Sequence, residues 1–275
     1  MEKVVLVGAG GKMGCRITDN LKNGEYQMAY LEVSDEGKTR LAEKGLTTSE
    51  KDLVLPEADI VILAIPDVAI EKASADIIPM MKPKALLVTL DPAAALAGKI
   101  YHRSDIAIYI SHPAHPSIFN WEPNEEAQRD YFGGSMAKQV AVSALMQGNE
   151  NDYGRGDKLT KKMYAPVIKN YRITVEQMGL LEPALVETLC STLQVIVREA
   201  LDIVIEKGVP ADAARDFLLG HLNIQLAVIY GQIPGAVFSD AANKAIERGK
   251  PLLIKENWRD VFEPDNVREQ IIDIT

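Results

Sequence analysis

The sequence predicts a protein of the α/β class, with an N-terminal doubly wound parallel sheet over residues 1–175 and an all-helical C-terminal domain over residues 176–275. Three observations predict it. Short apolar runs recur between amphipathic segments, mostly without polar and apolar alternation, as expected when helices cover both faces of a parallel sheet. The first of these runs leads directly into the glycine-rich stretch GAGGKMG (8–14). After Val175 the short runs give way to long stretches of helix formers.

Taken in order, KVVLVG (3–8), QMAYLEV (27–33), DIVILAIP (59–66), ALLVTL (85–90), IAIYIS (106–111) and QVAVSALM (139–146) read as strands. A helix near 155–168 and a strand over 171–175 would complete the sheet domain. Thr174 with Gln177 forms a capping-box pattern. The stretch 182–208 then reads as one nearly continuous helix ending at a glycine, followed by helices over 212–231 and 243–249.

Composition narrows the class of function. At 275 residues, 47% apolar and 25% charged, the chain has the length of two globular domains. Its net charge of −9, without a long basic cluster, argues against a nucleic-acid partner. Two cysteines, Cys15 and Cys190, each within an expected helix, suggest no disulfide framework and fit the reducing cytoplasm. The first residues enter a strand at once, with no room for a secretion signal. No apolar stretch reaches the roughly 18–20 residues of a membrane span, so no membrane partner is expected.

The glycine stretch follows a strand and opens a helix, the context that a dinucleotide-binding Rossmann turn requires. Gly8 permits the tight turn, Gly11 lets the backbone approach a pyrophosphate, and Gly14 lets the helix pack against the sheet. Lys12 and Met13 begin the helix whose N–H groups would face the phosphates. Glu32 lies at the end of the second strand, placed to accept hydrogen bonds from the adenosine ribose. With Val33 after it and Lys38 the nearest downstream base, Glu32 predicts NAD over NADP; the plainer reading is a solvated strand end. The turn at Ile65, Pro66 and Asp67 is expected beside the nicotinamide.

The segment ISHPAHPSIF (110–119) holds two of the four histidines, each before a proline. It should leave the sheet at the carboxyl rim, where open α/β sheets bind ligands. Residues before proline favour extended geometry, which would set the two histidine backbones about 9 Å apart at about 3.1 Å per residue. That spacing predicts one metal ligand and one substrate or acid/base histidine, with strand-end packing on Phe119 and Trp121 as the alternative. If residues 182–207 wind at about 100° per residue, Glu187 joins a polar stripe and Glu182 falls on the apolar side. A carboxylate there needs a partner. It either caps the helix ahead of Pro183 or holds a divalent ion, zinc or a similar one, with a histidine. His112 is the first choice of ligand and His115 the alternative, leaving the other for proton transfer.

The glycine loop, Glu32, SHPAHPSIF, EQMGLLEPALVET, YFGG (131–134), ALMQG (144–148), MYAPV (163–167), RDFLLGHLNI (215–224) and FSDAANKAIERGKP (238–251) together carry a resemblance along nearly the whole chain. It is to the 6-phosphogluconate dehydrogenase-like superfamily and, more narrowly, to the D-apionate oxidoisomerase family. The resemblance implies an NAD-dependent enzyme acting on a small sugar acid. It would oxidise the 2-hydroxyl of a branched acid such as D-apionate and shift a hydroxymethyl group, in a metal-assisted ketol rearrangement, to 3-oxo-isoapionate. Where the broader superfamily commonly uses a lysine at the start of the interdomain helix, this chain has Glu182 and Glu187. The apolar helical half, together with the resemblance, also implies a homodimer; His221, Asn223 and Lys244 then either complete the neighbouring substrate site or are plain core or surface residues. Competing expectations are a plain NAD-dependent hydroxyacid or phosphogluconate-type dehydrogenase, and a silent NAD(H)-binding sensor.

Overall fold

The computed structural model describes residues 1–275. The strands are β1 Lys3–Val7, β2 Gln27–Leu31, β3 Ile60–Leu63, β4 Leu86–Thr89, β5 Ala107–Pro113, β6 Gln139–Gln147 and β7 Val167–Arg172. The helices are α1 Lys12–Leu21, α2 Asp35–Glu43, α3 Lys51–Val54, α4 Asp67–Ile77, α5 Ala93–Leu96, α6 Glu125–Gln128, α7 Glu150–Met163, α8 Val175–Gly179, α9 Thr192–Glu206, α10 Ala211–Ile229, α11 Asp240–Leu253 and α12 Pro264–Ile274. A π-helical segment, Leu180–Ser191, joins α8 to α9.

The chain forms two compact units, Met1–Glu182 with Arg268–Thr275, and Pro183–Val267. The first holds a seven-stranded sheet in the order β2-β1-β3-β4-β5-β6-β7. Alternate residues of the central strands feed two separate cores. Val5, Val61, Leu63, Leu87, Ile108 and Ile110 pack on one face; Val4, Leu6, Ile60, Ile62, Leu86 and Tyr109 pack on the other. Both faces are covered, which is why these strands read as unbroken apolar runs. Each buried Leu or Ile contributes about 1.5–3 kcal/mol.

The structure departs from the sequence expectation in several places. The sheet is parallel except between β5 and β6, which pair antiparallel with His112 opposite Val142. The connection between them, residues 114–138, holds only the four-residue α6 and no crossover helix, which an antiparallel pair does not need. The helix expected over 155–168 starts earlier, because Asn149 and Asp152 form a capping box at the head of α7. The strand expected over 171–175 is β7, four residues earlier, on an edge where most of its residues are exposed. The compact unit that carries the sheet extends to Glu182, beyond the expected boundary at 175, because Met178 of α8 is buried in the sheet's core.

The helix over 182–208 is not uniform. Pro183 has no N–H to give the helix ladder and its ring crowds the preceding turn. The backbone winds as a π-helix through Ser191, whose hydroxyl donates to the Val186 carbonyl five residues back. The 100° argument that separated Glu182 from Glu187 therefore does not hold over this segment.

The second unit contains α9, α10 and α11, and buries little of its own apolar surface: α9 and α11 have no buried residue and α10 only Ala214. Val195, Ile203, Phe217, Leu219, Ile229, Leu252 and Leu253 are all exposed. Scored by mean hydropathy over 18 residues, the helical run Val175–Glu206 is long and apolar enough to cross a membrane, and only 11% of that window is buried. This corrects the expectation that no stretch reaches that length: single acids such as Glu182 and Glu187 interrupt the apolar run without bringing its mean hydropathy down.

Candidate active site

The glycine turn joins β1 to α1. Gly8 has φ +75°, and a Cβ there would stand 2.4 Å from the Ala64 carbonyl oxygen. A Cβ on Gly14 would lie 2.0 Å from the Gly8 carbonyl oxygen. Gly11, the N-cap of α1, offers no side chain to the helix, and the first turn, with Lys12 and Met13, carries no acid. α2, α7, α8 and α11 are each capped by a side chain. The leading N–H groups of α1 thus have the polarity and room for an anion.

Gly10 is a residue that sequence reasoning left without a role. Its N–H donates to Glu32 Oε2 at 2.9 Å, and a Cβ on it would strike the backbone of Gly37. Glu32 also accepts from the backbone N–H groups of Val33 and Ser34 and from the Ser34 hydroxyl. Partial burial pushes its carboxyl up, but these hydrogen bonds outweigh burial and hold it below the usual carboxylate range. The nearest downstream base, Lys38, pairs with Asp35; it is Arg40 that reaches the glycine turn, donating to the Gly10 carbonyl at 2.6 Å. Ile65 packs against the Gly8 position and Pro66 caps α4, which sets the 65–67 turn beside the glycine loop.

The sheet places a second group of residues on the same rim. Thr89 of β4 pairs with Ile110 of β5. Two residues further along each segment, Asp91, just past the end of β4, comes beside His112, which is still within β5. Nδ1 of His112 donates to the Leu90 carbonyl at 2.8 Å, and that carbonyl can only accept, so the proton sits on Nδ1 and Nε2 is left to face outward. Nε2 lies 3.3 Å from Glu182 Oε2, and Asp91 Oδ2 lies 3.7 Å from Nδ1. Ligand atoms of Asp91, His112 and Glu182 all fall within 4.8 Å of one another, and each residue is half-buried. Asp91 was not anticipated. The available signal was TLDP at the end of the strand beside the histidine strand.

His115 does not adopt the extended geometry that Pro116 favours. Its φ is +60°, a left-handed conformation unusual for histidine, particularly ahead of proline. The two imidazole centroids are consequently 6.4 Å apart with planes at 83°, closer than an extended segment sets their backbones and not parallel. His115 Nδ1 donates to the Phe132 carbonyl at 2.8 Å, and its ring meets Phe132 edge-on at 4.9 Å. Neither histidine packs on Trp121, which is 87% exposed. The structure brings His112 and Glu182 together with Asp91 and leaves His115 outside that group.

The remaining expected residues lie in the second unit. His221, Asn223 and Lys244 are exposed there, and the His221 ring stacks on Phe217, one turn earlier in α10, with Nδ1 on the Phe217 carbonyl. Glu187 is exposed.

Comparison with known proteins bears on this arrangement. The family described as phosphogluconate dehydrogenase (decarboxylating) C-term matches residues 120–275. A D-apionate oxidoisomerase of Cupriavidus necator is 50% identical over 275 residues, covering 100% of this chain and 99% of that protein. A D-apionate oxidoisomerase of Rhizobium rhizogenes is 48% identical, with 100% of both chains covered. A crystal structure from Cupriavidus necator, described as a semialdehyde dehydrogenase NAD-binding protein in complex with calcium and NAD, superposes with a TM-score of 0.98 at 50% identity over 100% of both chains.

Proposed function

This chain belongs to the D-apionate oxidoisomerase family, and from that premise we propose that it oxidises D-apionate at its 2-hydroxyl with NAD and rearranges the product to 3-oxo-isoapionate. The observation that carries the reading is the group Asp91, His112 and Glu182 on the rim that also holds the glycine loop. One imidazole nitrogen and two carboxylates suit a divalent cation, and the hydrogen bond from His112 Nδ1 to a backbone carbonyl is the usual outer support of a metal-bound histidine. The donor set therefore fits a metal. A divalent ion held there would draw charge from the C2 and C3 oxygens during the carbon shift. Zinc, expected from the sequence, is one candidate; calcium in the similar structure and the two hard carboxylates make harder ions equal candidates.

The chain's own residues take the remaining work. The N–H groups at the head of α1 hold the dinucleotide phosphates, and Glu32 holds the ribose. The imidazole of His115, outside the ligand group and with Nε2 bare, accepts the 2-hydroxyl proton as the C2 hydrogen leaves as hydride. As the hydroxymethyl group moves from C3 to C2, the C3 hydroxyl releases its proton to solvent and becomes the carbonyl, and the same imidazole returns its proton to the C2 oxygen. Asp91 and Glu182 would be the oxygen ligands on either side of His112. The free thiols of Cys15 and Cys190 suit the cytoplasm.

Incubation with NAD and D-apionate tests this directly. NADH should form together with the rearranged carbon skeleton. NADH with an unrearranged 2-oxo acid would make the protein a plain dehydrogenase, and dinucleotide binding without turnover on any aldonate would make it a sensor.

Cofactor choice follows from Glu32, whose carboxylate repels a 2′-phosphate. NAD should bind more tightly than NADP in titrations, and Glu32→Ala should narrow the gap, because it leaves Arg40 as the nearby charge. Because its folded carboxyl is depressed, Glu32 is fully ionised above the ordinary value of about 4.3, and both its stabilising contribution and the preference should be lost only as pH falls through the depressed one. Equal affinities in the unmodified protein would overturn the assignment.

The exposed apolar faces of α9, α10 and α11 support a homodimer rather than a membrane-bound form. His221, Asn223 and Lys244 would then serve the partner's substrate site. Sedimentation at micromolar concentration should give twice the mass of one chain; a monomer would refute the dimer.

A further inference from the structure

His115 stands in a costly conformation, and what holds it there is a short loop that α1 grips. Residues 130–137 are tied together by Asp130, whose carboxylate accepts the N–H groups of Gly133, Met136 and Ala137. Gly133 and Gly134 both have φ near +75°, so the loop turns sharply behind Phe132. α1 holds this loop at two points. Asn20 donates to the Gly134 carbonyl at 3.0 Å, and the Arg16 guanidinium lies over the Phe132 ring, 4.0 Å from its centroid. Lys12 Nζ stands over the same ring at 5.8 Å. Phe132 in turn meets His115 twice, through its carbonyl at 2.8 Å and its ring edge at 4.9 Å.

We propose that Phe132 is a positioning residue for His115 and that Arg16 holds it in place from the helix that receives the dinucleotide phosphates. The carbonyl of Phe132 can only accept, so it fixes the His115 proton on Nδ1 and leaves Nε2 as the basic nitrogen. The ring edge fixes the imidazole plane. Arg16, one turn into α1, supplies a cation to the ring face and stops Phe132 from swinging away with its carbonyl. Alignment of the base thereby depends on the helix that binds the cofactor. This rests on the reading of His115 as the proton acceptor.

Two variants probe the bridge. Phe132→Leu keeps the carbonyl and removes the ring; Arg16→Met keeps the stem and removes the cation. Both should lower kcat by about tenfold, the scale of a misplaced general base, and move the acid limb of the kcat/KM pH profile while NAD affinity stays within about twofold of the parent. Phe132→Tyr and Arg16→Lys, which preserve ring and cation, should restore most of the loss. A readout that needs no turnover is the nitrogen spectrum of histidine-labelled protein. The His115 signals, identified by their absence in His115→Asn, should report a single Nδ1–H form in the parent and a mixture of tautomers in Phe132→Leu and Arg16→Met. Unchanged tautomer and unchanged pH profile in both variants would overturn the proposal. So would a loss of NAD affinity in Arg16→Met equal to its loss of kcat/KM, which would make Arg16 a cofactor ligand. If the tautomer shifts as expected but His115→Asn retains full turnover, the bridge stands and it is the acid/base assignment of His115 that fails.

Discussion

Glu182→Gln is expected to remove divalent metal and carbon-shift activity together, each by at least about 100-fold, since even the outer partners of a metal ligand are worth about 10–100-fold. The substitution keeps the shape and removes the charge that faces His112 Nε2 at 3.3 Å. Asp91→Asn should behave in the same way for the same reason. Glu187→Gln, exposed and five residues further along the π-helical segment, should do much less. Metal content measured alongside NADH formation and product structure decides the matter. A chelator should abolish rearrangement and leave NAD binding at the glycine loop intact. Active protein without bound metal, insensitive to chelation, would leave His112 and His115 as hydrogen-bonding and acid/base groups alone.

Gly14→Ala is the second large effect. The added methyl would stand 2.0 Å from the Gly8 carbonyl oxygen and 2.8 Å from the Ala9 backbone, and neither can move as a flexible side chain would. Either α1 lifts from the sheet or the turn opens. Overpacking of this kind costs about 1–3 kcal/mol and occasionally more, and a clash with two consecutive backbone units puts this site at the upper end. Dinucleotide affinity should fall by at least about tenfold, because displacing the head of α1 by a fraction of an ångström removes aligned N–H groups from the phosphates. Gly11→Ala is the useful contrast: its Cβ would meet the Gly8 oxygen at 3.1 Å and the Ala64 oxygen at an ordinary 3.8 Å, so stability should fall much less than in Gly14→Ala while nucleotide approach suffers. Thermal unfolding with and without NAD separates the two effects. Equal stability of Gly14→Ala and the parent would show that the turn has slack the geometry denies.

The two halves of the site were legible to different degrees. The dinucleotide loop is a local device: strand, tight turn and helix start lie within about a dozen consecutive residues, and the identities that make them work are glycines with few substitutes. Gly10 escaped because its reason is distant, the close approach of Gly37. Asp91 escaped for a related cause. Between two strands in register, residues 21 positions apart become neighbours, and nothing in TLDPAA shows which strand will lie beside it. Glu182 reached its place by a route the sequence argument did not contain, since Pro183 lies at the start of a π-helix whose winding no 100° projection describes.

Apolar periodicity and turn chemistry, which act over a few residues, determined the α/β class, every strand of the sheet's parallel core, the glycine turn and the choice of a histidine-bearing rim. Tertiary structure alone decided the reversal of β6, the left-handed backbone of His115, the meeting of Asp91 with His112 and Glu182, and the grip of Arg16 on Phe132. Each of these depends on which distant segments share a surface. That is settled by burial summed over the whole sheet and by hydrogen bonds to particular carbonyls, which residue order does not carry.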